Sequence, residues 1–126
     1  MEFTRMRFAA ATGLGLSIIS LNVAAAQTAP DGATIFRQRC QSCHVVGTAR
    51  PTTLGPSLAG VVGRKAASTD FKYSAALQAS GLTWTKANLD KFLSGPTRMV
   101  PGTRMVISLP DPAQRAALIN YLATAR

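Results

Sequence analysis

The sequence predicts an all-α domain built from short helices joined by loops, and three observations predict it. Helix-capping residues recur along the chain, at Asp31, Ser74, Thr85 and Asp111, each ahead of apolar residues at helical spacing. Strand signals are scarce. Both cysteines and the only histidine fall within five residues, Cys40-Gln41-Ser42-Cys43-His44, so one short stretch concentrates the metal-binding chemistry of the whole chain.

The elements follow in chain order. Met1 to Arg7 carries Arg5 and Arg7, and an apolar run from Phe8 ends in Ala24-Ala25-Ala26. Charged start, apolar middle and small-residue exit predict a signal peptide over residues 1–26, cut ahead of Gln27. A retained membrane anchor is the rival, because the run approaches the roughly 20 residues that span a bilayer. Gly13, Gly15, Ser17, Ser20 and Asn22 weaken that rival.

Asp31 predicts a first helix that carries Ile35 and Phe36 and runs into Cys40. Between Gly47 and Lys65 the chain is expected to be loop, because Pro51, Gly55, Pro56, Gly60 and Gly63 interrupt any long helix. Ser74 caps a short helix over 75–80 that stops at Gly81. Thr85 caps another in which Leu89, Phe92 and Leu93 share a face, with Trp84 placed to pack on Leu89. The last helix has Asp111 as cap, Pro112 at its first position and Gln114 three residues after the cap. Leu118, Tyr121, Leu122 and Ala125 form its apolar stripe.

The pattern C-x-x-C-H is the attachment site of a c-type haem. Two thiols at this spacing can bond to both vinyl groups of one porphyrin, and His44 then follows as the proximal nitrogen ligand. Zinc is the weaker reading, since Cys40, Cys43 and His44 supply three ligands where a closed structural site takes four. A thioredoxin-like pair expects a βαβ setting that is missing around the motif, and a disulfide across two residues is less favoured still. Covalent haem attachment to exported chains belongs to the periplasmic side in bacteria, so the two readings agree on a periplasmic location.

Removal of 26 residues leaves 100 of the 126, a single domain with no room for a second. It also removes Arg5, Arg7 and Glu2, which leaves 12 basic and 4 acidic side chains, a formal charge of +8. Such a field favours acidic protein partners. Without a basic run or a nucleic-acid motif, no nucleic acid is expected, and membrane contact is peripheral unless the leader is kept. A merely solvated basic surface is the plainer alternative. Short helices bury little surface by themselves, and a covalently held porphyrin fills the middle that they leave. A second axial ligand has to be a soft donor; Met99 and Met105 are the only methionines after the leader. Met105 follows Pro101 and Gly102, which set a turn able to bring its sulfur over the iron, whereas Met99 reads as packing.

Together these residues resemble the class I c-type cytochromes, of the mitochondrial cytochrome c and bacterial cytochrome c2 type. The resemblance spans nearly all of residues 27–126. It rests on Gly32 and Phe36, the C-x-x-C-H motif, Leu54-Gly55-Pro56-Ser57-Leu58, Gly63-Arg64-Lys65, Tyr73, Trp84, Val100 to Met105 and Leu118 to Leu122. It implies the cytochrome c fold, with N- and C-terminal helices packed together where Gly32 and Phe36 meet Leu118 and Tyr121. It implies one haem c attached through Cys40 and Cys43, with His44 and Met105 on the iron. It further implies that the Pro56 carbonyl holds the second nitrogen of His44. Arg64, Tyr73 and Trp84 would donate to one propionate, and Thr103 would tie the methionine loop to the other.

Two positions depart from the usual family pattern. Phe92 stands where a tyrosine often points at the methionine sulfur, and Leu77 replaces a common asparagine. Both changes remove polar groups, so a drier methionine side is expected.

The function implied is one-electron transfer without enzyme activity, as a monomer. Partners would be acidic redox proteins such as membrane oxidase or reductase complexes and dehydrogenases. Arg39, Arg98 and Arg104 would steer them toward the exposed ring edge. The alternatives are a ligand-binding haem sensor or peroxidase-like protein with an open sixth site, and an electron-transfer subunit of a dehydrogenase complex.

Overall fold

The computed structural model describes residues 28, 31–49 and 52–126; the leader expected over 1–26 lies outside them. Among the described residues five helices follow in order: α1 Gly32–Arg39, α2 Ala75–Ala79, α3 Lys86–Ser94, α4 Pro96–Met99 and α5 Pro112–Thr124. Among the described residues the only β feature is an isolated antiparallel bridge between Lys65 and Thr83, so the all-α expectation holds.

Each of the four expected starts is capped by its side chain. Asp31 accepts from the Thr34 amide at 3.0 Å, Ser74 from Leu77 at 3.2 Å, Thr85 from Asn88 at 3.1 Å and Asp111 from Ala113 at 2.8 Å. Arg37 and Arg39 occupy the last turn of α1, where cations complement the carbonyl end of the helix. The remaining helix, α4, has no counterpart in the expected elements. It is one turn long, opened by Pro96 at its first position, and its cap Gly95 makes no side-chain bond.

Helices α1 and α5 cross in close contact, and α3 packs against both α5 and α4. At the α1–α5 crossing Phe36 meets Tyr121 with ring centroids 5.7 Å apart, as the resemblance implies. Ile35, Phe36, Leu89, Phe92, Leu93, Leu118, Ile119 and Leu122 form the core with Val61, Trp84, Val100 and Leu109. Each such buried aliphatic side chain stabilises by about 1.5–3 kcal/mol. Trp84 sets its ring against Phe92, centroids 4.9 Å apart, within the same core as Leu89.

The loops are fixed by backbone bonds. Gly63 donates to Trp84, Trp84 to Arg64 and Ala66 to Leu82, each at 2.8 Å, so residues 63–66 run beside 82–84. Leu58 donates to the Val45 carbonyl and Gly60 to that of Ala125, both at 2.8 Å, which ties the loop after the cysteine motif to the end of α5. The stripe expected on α5 is buried at Leu118 and Leu122, with Ile119 added and Tyr121 and Ala125 partly covered. Arg115 lies on the same face and is buried, which the periodicity did not suggest.

Candidate haem site

The helices and loops enclose a cavity of about 420 Å³. Its wall brings together residues far apart in sequence: Cys40, Cys43 and His44 from the end of α1, Pro56 and Arg64 from the loop, Tyr73 and Trp84, then Thr103 and Met105. All nine side chains singled out in the sequence therefore face one space.

On one side, the residues after α1 continue in a tight turn, the amide of Cys43 donating to the Cys40 carbonyl at 3.0 Å and that of His44 at 2.9 Å. The two sulfurs carry no disulfide. Burial pushes the Cys40 thiol up to about 11, so it stays protonated and is a poor thiolate ligand or exchange nucleophile at neutral pH. Among the described residues no group of three or more His, Cys, Asp and Glu is arranged to hold a metal, which tells against the zinc reading. His44 Nδ1 lies 2.8 Å from the Pro56 carbonyl, and an imidazole whose Nδ1–H is so engaged presents Nε2 as its lone-pair donor.

The loop fits under that imidazole only because residue 55 is glycine. A Cβ there would stand 2.7 Å from Cε1 and 2.8 Å from Nδ1 of His44. Thr52 holds the loop in place. Its hydroxyl donates to the Cys43 carbonyl and accepts from the Leu54 and Gly55 amides, each at 3.2 Å. Thr52 is not among the residues the motif singles out; its signal in the sequence is a threonine two and three residues ahead of the amides of a glycine turn.

A further part of the wall comes from the irregular segment 103–109. Thr103 is buried; its amide donates to Val100 at 3.0 Å and its hydroxyl accepts from the Met105 amide at 3.4 Å. Gly102 has φ +91°, and a Cβ on it would come within 3.1 Å of Ala76, so a glycine is needed where the turn leads toward Met105. Phe92 and Leu77, the two apolar departures, line the cavity as well.

The polar end is preassembled. Arg64 donates from Nη1 to the Ala59 carbonyl at 2.8 Å and from Nη2 to Ser57 at 2.9 Å, which fixes its positive charge in the wall. The Tyr73 hydroxyl is hydrogen-bonded to Thr69. Phe71, not singled out in the sequence, packs edge-on to Tyr73 and also lines the cavity.

Around the mouth stand Arg39 and Arg104, with Leu54 and Ile107 70% and 55% exposed. Arg98 does not line the cavity: its guanidinium turns back to the end of α3 and donates to the Ser94 carbonyl at 3.2 Å. That orientation depends on helix α4, which carries Arg98.

A flat, largely apolar group bearing acidic substituents fits this space. Two thiols, an imidazole, a thioether, an arginine and a tyrosine stand among the lining residues.

Comparison with known proteins agrees with that fit. The cytochrome c family model matches residues 29–126. The chain is 47% identical over 95 residues to cytochrome c2 of Rhodomicrobium vannielii, covering 74% of this chain and 75% of the relative. It is 42% identical over 92 residues to cytochrome c of Tetrahymena pyriformis, covering 72% and 83%. Among solved structures, cytochrome cH from Methylobacterium extorquens superposes with a TM-score of 0.67 at 40% identity, covering 74% of this chain and 94% of that one.

Proposed function

The chain belongs to the cytochrome c family and is a mono-haem electron carrier with haem c attached at Cys40 and Cys43; from that premise we propose that His44 and Met105 ligate the iron and that the protein shuttles single electrons in the periplasm. When bound, the haem supplies a ferric/ferrous couple that exchanges one electron without forming or breaking a substrate bond.

The chain's own residues make that exchange easy. The Pro56 carbonyl holds His44 in one orientation, and the buried Thr103 anchors the segment that carries Met105. Two ligands fixed by the fold leave little geometry to rearrange when charge changes. A thioether ligand favours the reduced state. Arg64, Tyr73 and Trp84 would serve the carboxylates of a bound haem, since burying such groups is costly without charge-assisted donors. Phe92 and Leu77 keep the methionine side dry.

Arg39 and Arg104 at the mouth draw acidic redox partners, such as membrane oxidase or reductase complexes and dehydrogenases. The attraction weakens as salt screens it beyond a Debye length of about 8 Å at physiological ionic strength. Residues 1–26 act as a cleaved leader, residues 27–126 forming the domain, and the protein works as a monomer.

One observation carries the reading: Met105 and His44 line a single cavity whose only C-x-x-C-H motif supplies the imidazole. Optical spectroscopy of the ferric protein tests it. The expected spectrum is low-spin with the weak long-wavelength band of methionine sulfur on ferric iron, and Met105→Ala abolishes that band. A high-spin wild-type spectrum with ready binding of carbon monoxide or peroxide would assign the open-site alternative instead.

A further inference from the structure

Residues 104–108, which carry Met105, have no backbone–backbone hydrogen bond among the described residues, so their position depends on what grips the ends. Thr103 grips the first end. At the other end Leu109 donates to the Leu93 carbonyl of α3 at 2.7 Å, and the buried Arg115 of α5 closes over the same point. Arg115 Nη1 donates to the Leu109 carbonyl at 3.0 Å and to the Pro110 carbonyl at 2.7 Å, while Nε donates to Asp90 Oδ1 of α3 at 2.7 Å.

The geometry points to Arg115 and Asp90 as positioning residues that set where Met105 stands over the cavity. An extended segment without a sheet partner has carbonyls to satisfy, and a planar guanidinium can satisfy two while a third bond locks its orientation. A buried cation is costly, and apolar packing between α3 and α5 would serve stability as well or better. The choice of arginine therefore buys placement: it fixes residues 109 and 110 relative to both helices, four residues from the sulfur. Asp90, with its side chain 45% exposed, aims the guanidinium, and Arg39 adds a weaker tie from Nη2 to the Ser108 carbonyl at 3.4 Å. Segment 104–108 is a strap between two buckles, and Asp90 tightens the second.

The inference rests on Met105 as the sixth ligand, and the test separates the two. Imidazole added to the ferric holoprotein binds only where the methionine has left, so its apparent affinity reports the fraction of open strap. Asp90→Asn is expected to tighten imidazole binding about fivefold, as loss of a partly exposed ion pair implies, and to weaken the methionine–iron band, while Asp90→Glu restores both. Arg115→Lys, which keeps the charge and loses the fork, shifts both further. Thr85→Ala, which removes the cap of the same helix, serves as the stability-matched control and leaves both readouts unchanged. A wild-type band that Asp90→Asn does not alter, or an equal shift in Thr85→Ala, overturns the positioning role alone. A wild-type spectrum without the band removes the ligand on which the role depends.

Discussion

Gly32 and Ala117 touch backbone to backbone where α1 crosses α5: a Cβ on Gly32 would lie 2.1 Å from the Ala117 carbonyl oxygen and 2.6 Å from the Tyr121 Cβ. Neither obstacle is the end of a flexible side chain, so a larger residue must push the helices apart. Separation would disturb Phe36 against Tyr121 and the core around Ile35 and Leu118, which are 2% and 1% exposed. Gly32→Ala should cost about 3 kcal/mol, at the upper end of ordinary overpacking. In a thermal melt of the holoprotein that is a fall in Tm of roughly 12 °C or more; a change within 2 °C would mean that the crossing has slack the geometry does not show.

The cap of α1 gives a pH prediction. The Thr34 amide, then its hydroxyl, hydrogen-bond the Asp31 carboxylate and hold it below its ordinary 3.8. A group whose folded-state value is lowered contributes stability above its unfolded value and loses it as pH falls through the folded one. Asp31→Asn keeps a good cap but cannot titrate. Denaturation series should show wild type ahead of Asp31→Asn at pH 5–7 and the difference closing below about pH 4. A gap that stays constant down to pH 2 would sink the assignment.

Those local features were readable because capping is short-range chemistry. Asp31, Ser74, Thr85 and Asp111 each satisfy amides two or three residues away, and the C-x-x-C-H motif sits in five consecutive residues. The placement of Met105 followed from there being so few soft donors. What escaped depends on distant partners. Arg115 is surrounded by Asp90, Leu109 and Pro110, and nothing at its own position distinguishes it from an exposed arginine. Helix α4 is too short for periodicity, and Gly95 offers no side-chain cap. The bond of Arg98 to the Ser94 carbonyl likewise depends on that helix.

Thr52 joins three backbone groups that otherwise have no common partner: the Cys43 carbonyl and the amides of Leu54 and Gly55. Thr52→Val preserves shape and removes the hydroxyl, so these groups lose their bond in a partly buried site at a cost of about 1–3 kcal/mol. Thr52→Ser should recover most of it. Guanidinium midpoints of the three holoproteins provide the measurement, and equal midpoints for Val and Thr would show that solvent replaces the hydroxyl.

Ala67 is the one described residue other than glycine with positive φ, at 55°. A left-handed backbone costs an L-residue roughly 1–2 kcal/mol, and glycine at the same place loses about 0.5–1 kcal/mol through its freer unfolded chain. Ala67→Gly should therefore stabilise by about 0.5 kcal/mol, seen as a Tm increase of roughly 2–4 °C. A decrease would indicate that the methyl group makes contacts worth more than the strain.

The cavity itself supports the last prediction. The roughly 420 Å³ space opens to solvent at its mouth, so without the haem its apolar lining faces water instead of porphyrin, and that apolar contact is lost. A domain of this size has about 5–15 kcal/mol of stability in all. The core residues Val61, Trp84, Leu89, Phe92, Leu93, Leu109, Leu118 and Leu122 all border that space, so loss of its contents strips packing from α3 and α5 at once. The double variant Cys40→Ala, Cys43→Ala, which cannot form thioethers, should show greatly reduced helical circular dichroism and no cooperative thermal transition once free haem is removed. If instead it melts cooperatively near the wild-type Tm, the helices pack without the haem and the porphyrin is cargo rather than core.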